Sequence, residues 1–241
     1  MDTESRERPA RAPALFISDG VADEAPDNGD DEHVAALGQL GRKLGRPPAV
    51  VVVSSGWSAD PMPVTACRGD CDLSARIARM IGAVSDTVRG PERDVSVRLG
   101  HLFAPSSVPV VRVSPPAGAR ADAFVVLGRE LAPLRGEGIV LVGLGTVVMN
   151  RRRFQADGSD PPAWARSFDD WVAARFCSLD LSSLLHFRRE APFAHLAAPI
   201  DDFLLPLFFA LGAALPGDRA EEVFSGFRHG TMSLRCLALG D

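Results

Sequence analysis

The sequence predicts an α/β fold: a single domain with a central mixed sheet flanked by helices. Three observations carry this expectation. Segments with strand character alternate with segments of helical period along the chain. The run Val50-Val51-Val52-Val53 is wholly β-branched, as in a central strand covered on both faces. A length of 241 residues, 46% of them hydrophobic, suits one large domain with a substantial core.

The elements follow in order. Residues 1–12 are polar and carry Pro and Arg, which predicts a disordered N-terminal tail ahead of a domain spanning residues 13–241. Residues 14–18 read as a short buried strand. Residues 22–31 carry Asp23, Glu24, Asp27, Asp30 and Asp31, the pattern of a solvated loop that can also meet a basic surface. Val34, Leu37, Leu40 and Leu44 recur at helical spacing, and Gly45-Arg46-Pro47-Pro48 stops that helix. Residues 49–54 are the central strand, and 62–66 a further one. Residues 73–84 read as a helix with Ile77, Met80, Ile81 and Val84 on its apolar side. Residues 94–99 and 108–114 are strand candidates. A helix is expected over 121–134, ended by Gly136-Glu137-Gly138, and a buried strand over 139–142. Residues 164–177 are amphipathic, with Trp164, Phe168, Trp171, Val172 and Phe176 on the apolar side. A short helix over 181–187 and a strongly apolar helix over 201–214 follow. Residues 225–239 close the sheet.

Composition excludes several function classes. The net charge of −5 gives no general attraction for nucleic acid or an anionic membrane. Arg151-Arg152-Arg153 reads as a solvated basic loop. No stretch of about 18 uninterrupted apolar residues argues for a membrane span, and the charged N-terminus has no apolar core of a secretory signal. The four cysteines allow three pairings. Cys67 and Cys71 have no second Cys/His pair nearby, which makes zinc a weak reading and favours free thiols in a reducing cytoplasm. The chain has no tyrosine, which removes one common catalytic acid. Gly143-Leu144-Gly145 is a fragment of a phosphate loop, without the third glycine or the downstream acid.

In sheets of this kind, sites collect where strands end and loops begin. Ser18-Asp19, Ser54-Ser55-Gly56 and Val148-Met149-Asn150 are such ends, so one shared pocket is expected there. The same segments carry a resemblance. Leu15-Phe16-Ile17-Ser18-Asp19-Gly20 matches a strand that ends in Gly/Ser-His-Gly. Val50 to Trp57 matches an apolar strand that ends in Ser-Ala-His-Trp. Val142-Gly143-Leu144-Gly145-Thr146-Val147-Val148-Met149-Asn150 resembles Gly-Ser-Gly-Asn-Val-Val-His-Asn. Residues 198–207, Ala-Pro-Ile-Asp-Asp-Phe-Leu-Leu-Pro-Leu, resemble His-Pro-x-x-Glu-His-x-Leu-Pro-Leu. These are frames of the class III extradiol ring-cleavage dioxygenases of the DOPA-dioxygenase type. The chain resembles that family from about Ala14 to its end.

The resemblance implies the extradiol-dioxygenase (LigB-like) fold. It also implies a site in which ferrous iron, sometimes zinc, is held by two histidines and a third His or Glu, with a further histidine as acid/base. At the matching positions this chain has Asp19, Gly56, Phe203, Met149 and Ala198 instead of histidine. A carboxylate can ligate iron; glycine and phenylalanine offer no donor, and a thioether moves no proton and suits a hard ferrous ion poorly. Asp202 matches the acidic residue before the lost ligand. The family's pocket-shaping His-Asp-Phe and Tyr-Pro segment after the Trp57 strand is missing here. Its Asp-His-Gly-Thr-Trp turn is replaced by residues 98–103, which leaves His101 out of frame. Residues 226–233 resemble Gly-Phe-x-Tyr-Gly-Ser-x-Ser, with His229 at the tyrosine.

Among the remaining polar groups, Asp19, His101 and His229 are the catalytic candidates. Asp19 can also simply cap its turn. Ser54, Ser55, Asn150 and Asp202 are the candidate ligand-binding groups, although serines at strand ends also satisfy backbone. His186 and His195 have no neighbours that would orient them. No iron or zinc cofactor is expected. The resemblance leads first to a metal-free, catalytically degenerate subunit, in a homo- or hetero-oligomer with an active paralogue of aromatic-compound metabolism. The alternative is an enzyme with iron-independent chemistry on an aromatic small molecule in the same pocket. A weaker alternative is ring cleavage through non-standard iron ligands.

Overall fold

The β-branched run becomes β2 (Val50–Ser54), hydrogen-bonded on both sides and fully covered. Its neighbours are β5 (Val110–Val113) and β6 (Val140–Gly145), both parallel to it. The structure is a computed structural model and describes residues 11–18, 31–54, 59, 62–68, 71–86, 99–103, 108–156 and 158–241. β1 (Ala14–Ser18) pairs parallel with β6 and antiparallel with β10 (Cys236–Gly240). The eight-stranded order is β4-β3-β5-β2-β6-β1-β10-β7, with β3 at Pro63–Arg68, β4 at Val84–Asp86 and β7 at Arg219–Phe224. β3 runs antiparallel to β5, and β7 antiparallel to β10, so the sheet is mixed. β8 (Phe227–Arg228) and β9 (Met232–Ser233) form a separate hairpin.

Successive strand residues point to opposite faces, which sorts the core into two layers. On one face, Phe16, Val51, Val53, Val111 and Leu141 pack against helices. These include α2 (Cys71–Met80), α3 (Ala121–Leu131), α4 (Ala163–Cys177) and, later in the chain, α8 (Leu205–Gly212). On the other face, Leu15, Ile17, Val50, Val52 and Val142 meet Leu37 and Leu40 of α1 (Asp31–Leu44), together with Leu99, Leu102 and Val108. Three short helices link α4 to α8: α5 (Leu181–Leu185), α6 (Phe187–Glu190) and α7 (Ala194–Ala197).

The glycines of the Gly143-Leu144-Gly145 fragment lie inside β6, not in a phosphate loop. A Cβ on Gly143 would overlap the Pro206 carbonyl oxygen, and one on Gly145 the Phe203 carbonyl oxygen. Their role is to let α8 and the turn before it approach the sheet. Gly128 and Gly212 do the same for the crossing of α3 and α8.

Several predicted boundaries shift for local reasons. The helix expected over 73–84 stops at Met80, because Gly82 adopts φ +63° and the chain turns into β4. The helix expected to reach 134 gives way at Pro133 to a 3-10 turn, Ala132–Glu137. The apolar helix expected over 201–214 begins as a 3-10 turn, Asp201–Phe203, with α8 starting after it. The strand expected over 94–99 falls outside the described residues except Leu99, which lies in a helical turn at 99–102. The acidic segment 22–31 also lies outside them, apart from Asp31 in α1.

Arg11 and Ala12, assigned to the tail by composition, join the fold. Arg11 pairs with Asp241, and the Ala12 amide donates to the Arg135 carbonyl at 2.9 Å. Behind them lies a fully buried pair. Arg135 donates Nη1 to Asp218 Oδ2 at 2.6 Å and Nη2 to Oδ1 at 3.1 Å. Its Nε donates to Ala12 O, and its remaining N–H groups to Ala213 O and Leu239 O. All five guanidinium donors are thereby used.

Candidate functional site

The chain leaves β6 through Thr146 and enters the segment Val147-Val148-Met149-Asn150 at the end of the sheet where β1 also ends. Two elements clamp this segment. The hairpin lies along one side: Ser233 N donates to Val148 O at 3.0 Å, and Met149 bridges Met232. On the other side Met149 N donates to Ala197 O at 3.0 Å, and Asn150 Nδ2 to Leu196 O at 2.7 Å.

The side chains gathered here are apolar. Met149, Met232 and Leu234 form a buried cluster, with Phe154, Phe203 and Phe224 packed against it. Phe203 comes from the 3-10 turn before α8, and its carbonyl accepts from Thr146 N at 2.7 Å. Two of the resemblance positions, Met149 and Phe203, thus share one hydrophobic cluster. Ala198, at the end of α7, is buried in the main core. Asn150 is engaged by backbone, and Ser54 ends β2 as a buried residue. Asp202 is exposed and borders a small recess beside Pro115, Pro116 and Leu205. Asp19, Ser55 and Gly56 lie outside the described residues.

The two candidate histidines have different neighbours. His101 lies in the helical turn 99–102 beside α1, where its carbonyl approaches Gly38. His229 occupies the hairpin turn with φ +50°, and its ring stacks on Phe154 with centroids 5.0 Å apart. Its carbonyl accepts from Gln155 N at 2.9 Å. His186 is exposed, with Nδ1 2.8 Å from Ser182 O. Arg151–Arg153 is an exposed 3-10 turn, as the solvated reading expects.

Around Met149 and Phe203 the described side chains offer a metal little to bind. Among the described residues no three His, Cys, Asp or Glu side chains gather as an ion site. The groups around Met149 and Phe203 are thioether and hydrocarbon, which do not suit a hard ferrous ion.

Two polar groupings beside the cluster had no signal in the sequence. Ser18 Oγ donates to Ser233 O at 2.7 Å, and Ser233 Oγ to Asp169 Oδ1 at 2.6 Å. Arg235 Nε donates to Asp169 Oδ2 at 2.9 Å, and its other nitrogens reach Asp170 and Glu222. Burial pushes the Asp169 carboxyl up from its ordinary value, against the pull of Arg235 and Ser233. The second grouping is His33 Nε2, 3.3 Å from Cys236 Sγ, with both residues buried. Neither Cys177 nor Cys236 is in a disulfide. The partners in both groupings lie far apart in sequence, so no local motif announces them.

No family model matches the chain. It is similar to the 4,5-DOPA dioxygenase extradiol of Escherichia coli strain K12, 27% identical with 95% of each chain covered. It is also similar to that of Portulaca grandiflora, 27% identical over 84% of this chain and 88% of the relative. The protein of the same name from Beta vulgaris is 25% identical over 78% of this chain. These similarities support an extradiol-dioxygenase-like protein. The crystal structure of an uncharacterized Escherichia coli K12 protein superimposes with a TM-score of 0.83 at 28% identity, covering 95% of this chain and all of that one. The mixed α/β architecture of the extradiol-dioxygenase-like chain is consistent with that neighbour. No helix among its described residues is long and apolar enough to cross a membrane.

Proposed function

We propose that this extradiol-dioxygenase-like chain lacks the ring-cleaving metal centre and works as a non-catalytic subunit or accessory partner of an active paralogue. One observation supports the reading above the others. Met149 and Phe203, where the resemblance expects an acid/base and a ligand histidine, sit in one apolar cluster with Met232 and Leu234. Such a cluster excludes water and offers no lone pair to iron. With Gly56 and Ala198 at two further positions, Asp19 remains the one ligating side chain of the five. No iron or zinc cofactor belongs to this reading.

The retained frame would supply stability and an interface. Gly143 and Gly145 still admit α8 against the sheet, and the hairpin still covers Val148 and Met149. In this reading the chain acts in the cytoplasm, in a homo- or hetero-oligomer, and its partner carries out the aromatic chemistry. The name of the relatives points to DOPA-type catechols as the compounds concerned.

The test offers catechol and DOPA to the protein with ferrous iron and dioxygen. The expected result is oxygen uptake equal to the protein-free control and no ring-cleaved product. Turnover that depends on added iron would overturn the reading. Co-expression with an active paralogue tests the partnership, with a stable complex on gel filtration as the expected outcome.

A further inference from the structure

We propose that the groove between α3 and the turn at residues 115–119 binds a small hydrophobic cation, an arylalkyl ammonium. The groove has a volume of about 360 Å³, at the lower end of the range for small-molecule sites. Its floor is Phe124 and Leu127 of α3, and Met62 and Ile81 close it from the β3 and α2 side. Pro115 and Pro116 form one wall, and Ala119 N donates to Pro116 O at 3.1 Å. Fixed proline φ angles and that hydrogen bond keep the wall in place without a ligand.

Charge selects the occupant. The lining includes two carboxylates, Asp122 and Glu130, and no Lys, Arg or His. They stand eight residues apart on α3, about 12 Å along the helix axis, with Val126 between them and half exposed. Among the described residues neither carboxylate has an ion pair. An apolar slot with an anionic rim attracts a ligand that has an apolar body and one cationic end, and it repels the corresponding anion. The slot lies beside β5 and α3, and its lining shares no residue with the Met149 cluster. The proposal therefore stands independently of the metal-free reading.

The test is calorimetry of the full chain with phenethylammonium, phenylacetate and a basic amphipathic peptide as probes. Phenethylammonium is expected to bind and to weaken up to about fivefold when Asp122→Asn and Glu130→Gln are combined, the range of one exposed charge contact made with either carboxylate. Val126→Arg, at a half-exposed position, places a cation in the slot and is expected to abolish binding without unfolding the chain. Circular dichroism checks that fold. Equal binding of phenylacetate would overturn the proposal. So would no binding of phenethylammonium up to about 10 mM, or binding of the peptide alone.

Discussion

Two buried arginines sit at opposite ends of the sheet and are handled differently. Where the parallel strands begin, Arg135 meets a single acid, Asp218, and every donor is matched. Where β1 ends, Arg235 faces three acids, Asp169, Asp170 and Glu222, and the chain continues through Ser233 to Ser18. The first is a closed pair. The second is an open network beside the position where this fold class places its sites. Beside it lies the apolar Met149 cluster, while Asp170 and Glu222 reach solvent. The contrast teaches that position and chemistry are separate questions: the described groups at this end of the sheet bond to one another and to backbone.

Breaking the closed pair is the largest expected effect. Asp218→Ala leaves Arg135 buried without its acid, and a loss of about 3–5 kcal/mol is expected in chemical denaturation. Asp169→Ala leaves Arg235 with Asp170 and Glu222, so the loss is expected to be smaller, about 1–3 kcal/mol. Equal losses would erase the distinction between the two ends. Gly143→Ala drives a methyl group into the Pro206 carbonyl and is expected to cost about 1–3 kcal/mol in the same measurement. Met149→His buries an imidazole among hydrocarbon and is expected to cost about 1–2 kcal/mol. It should gain no iron affinity, since one histidine makes no triad.

The smallest effect is a helix cap. Asp180 caps α5 by accepting from Ser183 N at 3.0 Å, and this hydrogen bond holds its carboxyl below the usual carboxylate range. A lowered folded value means the contribution is present above the unfolded pKa and lost as pH falls through the folded one. Asp180→Ala is therefore expected to lower the melting temperature slightly at pH 7, with the gap closing in acid. A gap that stays constant into acid would remove the cap from the account.

The fold was legible wherever burial leaves a periodic trace. The Val50–Val53 run gave a central strand because a strand covered on both faces has no polar side to show. Trp164, Phe168, Val172 and Phe176 marked α4 by their spacing. Single residues set the ends that shifted: Gly82 in the left-handed region and Pro133 after α3. Neither changes the hydrophobic period on which a sequence reading relies. At the site, the resemblance picked out Met149 and Phe203 as positions where it expects histidine, but their meeting in one cluster was not readable. Asp169 and Arg235 are 66 residues apart, and Arg135 and Asp218 are 83 apart. Each looks like an ordinary surface charge until the sheet brings its partner to it.

The central claim, a site that no longer holds iron, is tested most directly by calorimetric titration of metal-stripped protein with ferrous iron under anaerobic conditions, with zinc as control. The account predicts no heat of binding at tens of micromolar, about the range that a weak single-carboxylate site cannot reach. One equivalent bound tightly, and lost in Asp19→Ala, would contradict it and show that the extradiol-dioxygenase-like chain carries a rebuilt metal centre.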